Sequence, residues 1–214
     1  MPHDPDTFIA GLVADLAPVR PLRQRAGMGR ALLALLAGVL GMVTMFGLRS
    51  DLASGHPDAM LLLSGGLFLV LTLASSWAVI DMARPYVGIR REGWGWTALM
   101  AAVLPLAAMV QWLVARLGGQ AMTLDSDGIN CLKFGLVWGL ITAAVLTLWL
   151  RRGAPSRPDR AGLMAGVASG SAGIFAVALY CPHNDLLHIG VWHGATVVIA
   201  GLVGRLVIPR LIAW

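Results

Sequence analysis

The chain is poor in charge. Only 13% of its 214 residues are Asp, Glu, Lys or Arg, about half the share of an average soluble domain. That excludes a solvated globular surface over most of its length. Cysteine is scarce too, with Cys131 and Cys181 alone. A disulfide-stapled scaffold and the CxxC of a membrane thiol oxidoreductase are thereby excluded. Lys133 is the single lysine among sixteen basic residues. The sequence holds no HExxH helix and no glycine-rich phosphate loop. Residues 1–25 lack an apolar leader and carry Asp4, Asp6 and Asp15, so no cleavable signal peptide is expected.

What the chain has instead is apolar length. It is 57% hydrophobic, with mean hydropathy +0.75, and several apolar runs exceed the roughly 18 residues that read as a membrane span. Six spans are expected, over residues 31–48, 59–80, 94–115, 129–150, 161–181 and 187–208. Trp94 and Trp96 open the third span in the position of an interfacial aromatic belt. Pro105 interrupts it, and neighbouring helices can satisfy the carbonyl that the proline leaves free. Gly162, Gly166 and Gly170 share one face of the fifth span, beside Ala161, Ala165, Ser169 and Gly173. Small residues every fourth position let a second helix approach closely. The expected fold is an all-α membrane protein: a bundle of six transmembrane helices with a short amphipathic N-terminal helix. Residues 1–30 form a cytoplasmic segment and residues 31–214 the six-span domain.

Charge sets the expected orientation. Six spans put both termini and the loops 81–92 and 151–160 on one side, which holds 13 of the basic residues; the other side holds Arg49, Arg116 and Lys133. Loops this short follow the positive-inside rule, so both termini are expected in the cytoplasm. The same rule accounts for the net charge of +5 without nucleic-acid binding. Few charges lie inside the spans, so an ion or proton pathway is poorly supplied.

Two places stand out chemically. Phe8, Ile9, Leu12, Val13 and Leu16 recur at helical spacing as one apolar stripe, behind a possible Asp4 cap with Pro5 at the first helical position. A helix this short needs something to lie against: the membrane surface, its own bundle, or a partner protein. The second place is the polar turn from Tyr180 to His188. It brings Cys181 to the same depth as Cys131, near the outer face. The pair can be packing residues, a disulfide or reactive thiols outside the cytosol, or, with His183 and His188, donors of the kind zinc prefers. No compact metal motif is present, and neither a metal nor a cofactor is assigned. His193, inside the sixth span, reads as a hydrogen-bonded packing residue, although an ionisable group inside a span calls for a functional test.

Short motifs in order carry a resemblance to a known family. Residues 12–22 read LVADLAPVRPL, residues 150–155 LRRGAP and residues 161–166 AGLMAG; Tyr180-Cys181-Pro182 and Val191-Trp192 follow. Across essentially its whole length the chain resembles the six-span membrane anti-sigma factors of the negative-regulator-of-sigma-F family, with Cys131 and Cys181 where that family has its two cysteines. The resemblance implies a non-enzymatic anti-sigma factor of the bacterial inner membrane. It would hold an extracytoplasmic-function sigma factor inactive and release it under stress, with Cys131 and Cys181 sensing the signal. Phe8, Ile9, Leu12, Val13 and Leu16 become the expected sigma-binding surface, in a docking segment spanning residues 1–30. The alternatives from the residues alone are a small membrane transporter or channel, or a thiol–disulfide membrane enzyme.

Overall fold

The computed structural model describes residues 5–14, 22–84, 94–119 and 127–213. Every regular element among them is helical. A short helix α1 (Pro5–Ala14) precedes α2 (Gln24–Phe46), the single-turn α3 (Ser50–Ala53), α4 (Ala59–Met82), α5 (Trp94–Leu117), α6 (Gly128–Leu150) and α7 (Pro158–Ala178). The last helix, α8 (Leu186–Ile212), is helical throughout but changes pitch at Ile189–His193, which is π-helical. Six helices, α2 and α4–α8, are long and apolar enough to cross a membrane, so this is a multi-pass membrane protein.

The bundle is wound around α7. This helix is almost entirely buried and packs against α2, α4, α6 and α8. Its small residues make that possible, because in lipid helices associate through close packing rather than through a hydrophobic drive. On the α8 side the approach is backbone to backbone: a Cβ on Gly162 would lie 2.5 Å from the Gly204 carbonyl oxygen, and one on Gly204 2.5 Å from that of Gly162. On the α6 side a Cβ on Gly139 would lie 2.6 Å from the Ser169 carbonyl oxygen. Spans four and five are therefore antiparallel neighbours, and the glycine face serves two helices rather than one. Thr72 of α4 donates a 3.1 Å hydrogen bond to Ser171 of α7 across the same core. The remaining faces are apolar and open, as at Leu33, Leu63 and Leu206, which is what a lipid-facing surface needs.

Replacing Gly162 with Leu should therefore push α7 off α8 and cost about 1–3 kcal/mol, the usual range for overpacking. Thermal unfolding in detergent measures it. Gly66→Leu is the control, since nothing lies within 4 Å of a Cβ there, and its midpoint should stay unchanged.

Segments outside the spans gather at two ends. At one end Gln24 donates to Asp81 at 2.9 Å, and the amide of Ala154 donates to the Ala83 carbonyl at 3.0 Å. Arg30 lies over the ring of Trp149, 5.3 Å from its centroid. At the other end the amide of Arg49 donates to the Leu179 carbonyl at 3.0 Å. The two ends thus separate the α2 start and the 151–157 loop from the cysteines.

Several helix boundaries differ from the sequence expectation, and two of the differences have a clear local cause. The first span starts seven residues earlier, at Gln24 rather than residue 31, because Gln24 finds a polar partner on α4 and needs no apolar surroundings. The fifth span closes at Ala178 rather than Cys181. Pro182 biases the residue before it towards extended backbone, although the Cys181 amide still bonds back to Val177 at 2.8 Å. The α5 helix runs on through Pro105, whose ring lies beside Gly194 of α8.

Candidate functional site

The cysteines meet. Cys131 sits in the first turn of α6, and Cys181 lies three residues beyond α7. Fifty residues apart in sequence, their sulfurs are 3.5 Å apart, and both side chains are buried. They are thiols in contact, well beyond the ~2.05 Å of a disulfide bond.

Two histidines of α8 close around them. His188 Nε2 is 3.5 Å from Cys181 Sγ, and donor atoms of Cys131, Cys181, His188 and His193 all lie within 4.8 Å of one another. All four residues are buried. His188 is fixed through its backbone, whose amide donates to Asp185 Oδ1 at 2.7 Å as the helix cap. A side-chain oxygen there satisfies one of the orphan donors at a helix start.

The π-helical turn decides what His193 does. At 3.6 residues per turn, positions five apart fall about 140° apart around a helix. The wider i→i+5 turn returns them to one side, and the imidazole centroids of His188 and His193 are 5.3 Å apart. Glycines brace the turn against α5: a Cβ on Gly190 would lie 2.7 Å from the Leu104 carbonyl oxygen, and one on Gly194 2.7 Å from Pro105 Cγ. His193 is 2% exposed; neither ring nitrogen has a partner at full hydrogen-bond geometry, and the polar group it interacts with is the Cys181 sulfur. The expectation of a hydrogen-bonded packing residue is thus corrected. Sequence reasoning noted His193 as an ionisable residue inside a span but left it out of the donor set, which it drew as the cysteines with His183 and His188.

The rim is polar. Half-buried His183 stacks on His188 with centroids 4.5 Å apart. Arg49 clamps the turn, donating to the Cys181 carbonyl at 2.7 Å, to Asn184 Oδ1 at 2.9 Å and to Asp51 Oδ1 at 2.6 Å. Burial works against the Asp51 charge. Hydrogen bonds from Arg49 and from the amides of Asp58 and Leu52 outweigh it and hold the carboxyl below its ordinary value. Cys181, outside the spans, is held well below the ordinary thiol range, first by its hydrogen bond with Cys131, against burial, and then by His188. Removing the clamp with Arg49→Ala should let the 181–184 turn open more often. Alkylation of Cys181 by a membrane-permeant reagent should then rise about tenfold, as expected for losing ~1.4 kcal/mol of charge-assisted hydrogen bonding.

The other expected site residues are placed apart from this cluster. Phe8, Ile9, Leu12 and Val13 lie on α1, all exposed, with Phe8 at 66% and Leu12 at 57%. No residue of that helix is buried, so the stripe covers nothing among the described residues. Leu16 and Asp4 lie outside the described residues.

Comparison with known proteins places this six-span bundle with its buried cysteine pair in a family. Residues 12–214 match the family described as negative regulator of sigma F. The chain is 31% identical to the anti-sigma-F factor NrsF of Caulobacter vibrioides over 218 aligned positions, 98% of this chain and 99% of that protein. It is 26% identical to the probable anti-sigma-F factor NrsF of Azospira oryzae over 81% of each. No solved structure matches. With the family match running from residue 12 to residue 214, the chain belongs to the negative regulator of sigma F family, as a membrane-embedded regulator and not an enzyme.

Proposed function

We propose that this protein holds an extracytoplasmic-function sigma factor inactive at the bacterial inner membrane and releases it when Cys131 and Cys181 sense a stress signal. Family membership supports the holding function. The observation that carries the sensing half is the 3.5 Å sulfur pair at the bundle end opposite Gln24 and the 151–157 loop. Residues 1–30 are the docking segment, with Phe8, Ile9, Leu12, Val13 and Leu16 as its contact surface, and residues 31–214 are the transmembrane domain. An apolar stripe that covers nothing among the described residues favours a partner over packing on the bundle, and an amphipathic helix laid in a groove is a common docking mode. The sensor and the docking segment then communicate through stiff helices, chiefly α6 and α7. A shift at the cysteines tilts them, and the loop between them moves at the far end.

Affinity-tagged protein, purified from its native host in detergent, should bring down one small sigma factor in near-stoichiometric amount. A preparation free of any sigma factor would favour a transporter instead.

The reading also needs the cysteines outside and the termini inside, which the 13-to-3 charge split supports. Reporter fusions after Arg116 and Asp185 should report periplasm, and fusions after Arg91 and Arg157 cytoplasm. A cytoplasmic signal at either of the first two sites would place the cysteines on the wrong side and sink the sensing half.

A further inference from the structure

We infer that Cys131, Cys181, His188 and His193 form a four-ligand site for a divalent d10 cation of the zinc type, and that binding of this cation is what the cysteine pair reads. The inference rests on the functional reading above for its consequence, but the site stands on geometry alone.

The donor set and its spacing fit such an ion. Zinc bonds thiolates at ~2.3 Å and imidazoles at ~2.0–2.1 Å, almost always as a tetrahedron. The edges of that tetrahedron are then about 3.3–3.8 Å. Here Cys131 Sγ to Cys181 Sγ is 3.5 Å, and Cys181 Sγ to His188 Nε2 is 3.5 Å. The fourth donor is supplied by His193, which is buried with neither ring nitrogen at full hydrogen-bond geometry. Leaving a buried polar group unsatisfied costs about 1–3 kcal/mol, and a metal bond removes that cost. The π-helical turn is the device that puts His193 there. Such single turns inside α-helices are frequent at functional sites.

Charge selects the ion. Two thiolates, two neutral imidazoles and a divalent cation sum to zero, whereas a monovalent soft ion would leave a net negative charge in a buried place. Buried charge is costly unless paired. Binding is a proton exchange without redox change: a sulfur that still carries a proton gives it to solvent as it bonds the metal.

A way in is also built. His183, Asp185 and His188 form a second donor set at the surface, with His183 half-buried and Asp185 exposed. His188 belongs to both sets. An ion caught by His183 and Asp185 can be handed through His188 to the inner four. Once seated there it ties the start of α6, the segment after α7 and the π turn of α8 into one unit.

The test uses the full-length protein in detergent, reduced and stripped of metal, titrated with Co2+ and then competed with Zn2+. One equivalent of Co2+ should give the d–d bands of a tetrahedral ion and a thiolate-to-cobalt charge-transfer band, and Zn2+ should bleach both. His193→Gln should weaken Zn2+ binding at least about tenfold, while His193→Cys, which restores a soft donor, should keep it; a folding defect would remove both. His183→Gln should slow loading without changing affinity. Wild-type protein that takes up no Co2+, a six-coordinate spectrum, or His193→Gln binding as tightly as wild type would overturn the site. The same preparations are mixed with the captured sigma factor. Zn2+ that binds but leaves sigma holding unchanged would overturn the link between occupancy and sensing. Protein that binds Zn2+ but captures no sigma factor leaves the metal site intact and removes the anti-sigma reading instead.

Discussion

Replacing Phe8 and Leu12 together with Asp should abolish holding of the sigma factor. Each large apolar side chain buried in an interface contributes about 1.5–3 kcal/mol. Losing two removes roughly 3–6 kcal/mol, on the order of 10²- to 10⁴-fold in affinity, and two carboxylates would be left to desolvate. Both positions are more than half exposed in the chain itself. The change should therefore leave the six-span domain alone, and membrane levels should stay as they are. Sigma-dependent transcription would become constitutive. Co-purification would yield the protein without its partner. If repression survives the double change, the stripe rests on lipid or on the bundle, and the holding surface must be sought in the basic loops around Arg84 and Arg151–Arg160.

The cysteines should behave as one unit. Cys131→Ser and Cys181→Ser each remove a soft donor while keeping the volume close. Residues in contact couple by about 0.5–3 kcal/mol, whereas residues far apart add. With sulfurs 3.5 Å apart, either single change should give the same defect, a loss of release on induction of tenfold or more. The double variant should be no worse than the singles, within about twofold. A reporter under a sigma-dependent promoter reads this, with immunoblots to hold protein level fixed. A double variant much worse than the singles, or singles that respond normally, would make the cysteines independent packing residues. The same experiment bears on α7: a pair can move the far loop only if the helix between is packed without slack, and the Gly162–Gly204 approach supplies that stiffness.

The residues that determined most from sequence are those whose signal is local. Apolar length alone specifies six spans, because a bilayer demands about 20 apolar residues wherever the chain crosses. The glycines of 162–170 announced close packing because their four-residue spacing is itself the face. Cys131 and Cys181 could be set at one depth by counting residues from the span ends. The boundaries at Gln24 and Ala178 were less legible, since each depends on a partner or a neighbour outside the apolar run: Asp81 for Gln24, Pro182 for the end of α7.

Only the tertiary structure decided which side chains face one another at that depth. Helical periodicity at 3.6 residues per turn puts His188 and His193 on different faces, and it is the π turn, held open where Gly190 and Gly194 press on Leu104 and Pro105 of α5, that brings them together. A change of one residue in helical phase leaves no trace in composition or spacing. It arises from contact with a helix more than seventy positions earlier in the chain, and so the sequence could group Cys131 and Cys181 with His183 and His188, while the fold alone could bring His193 into the cluster.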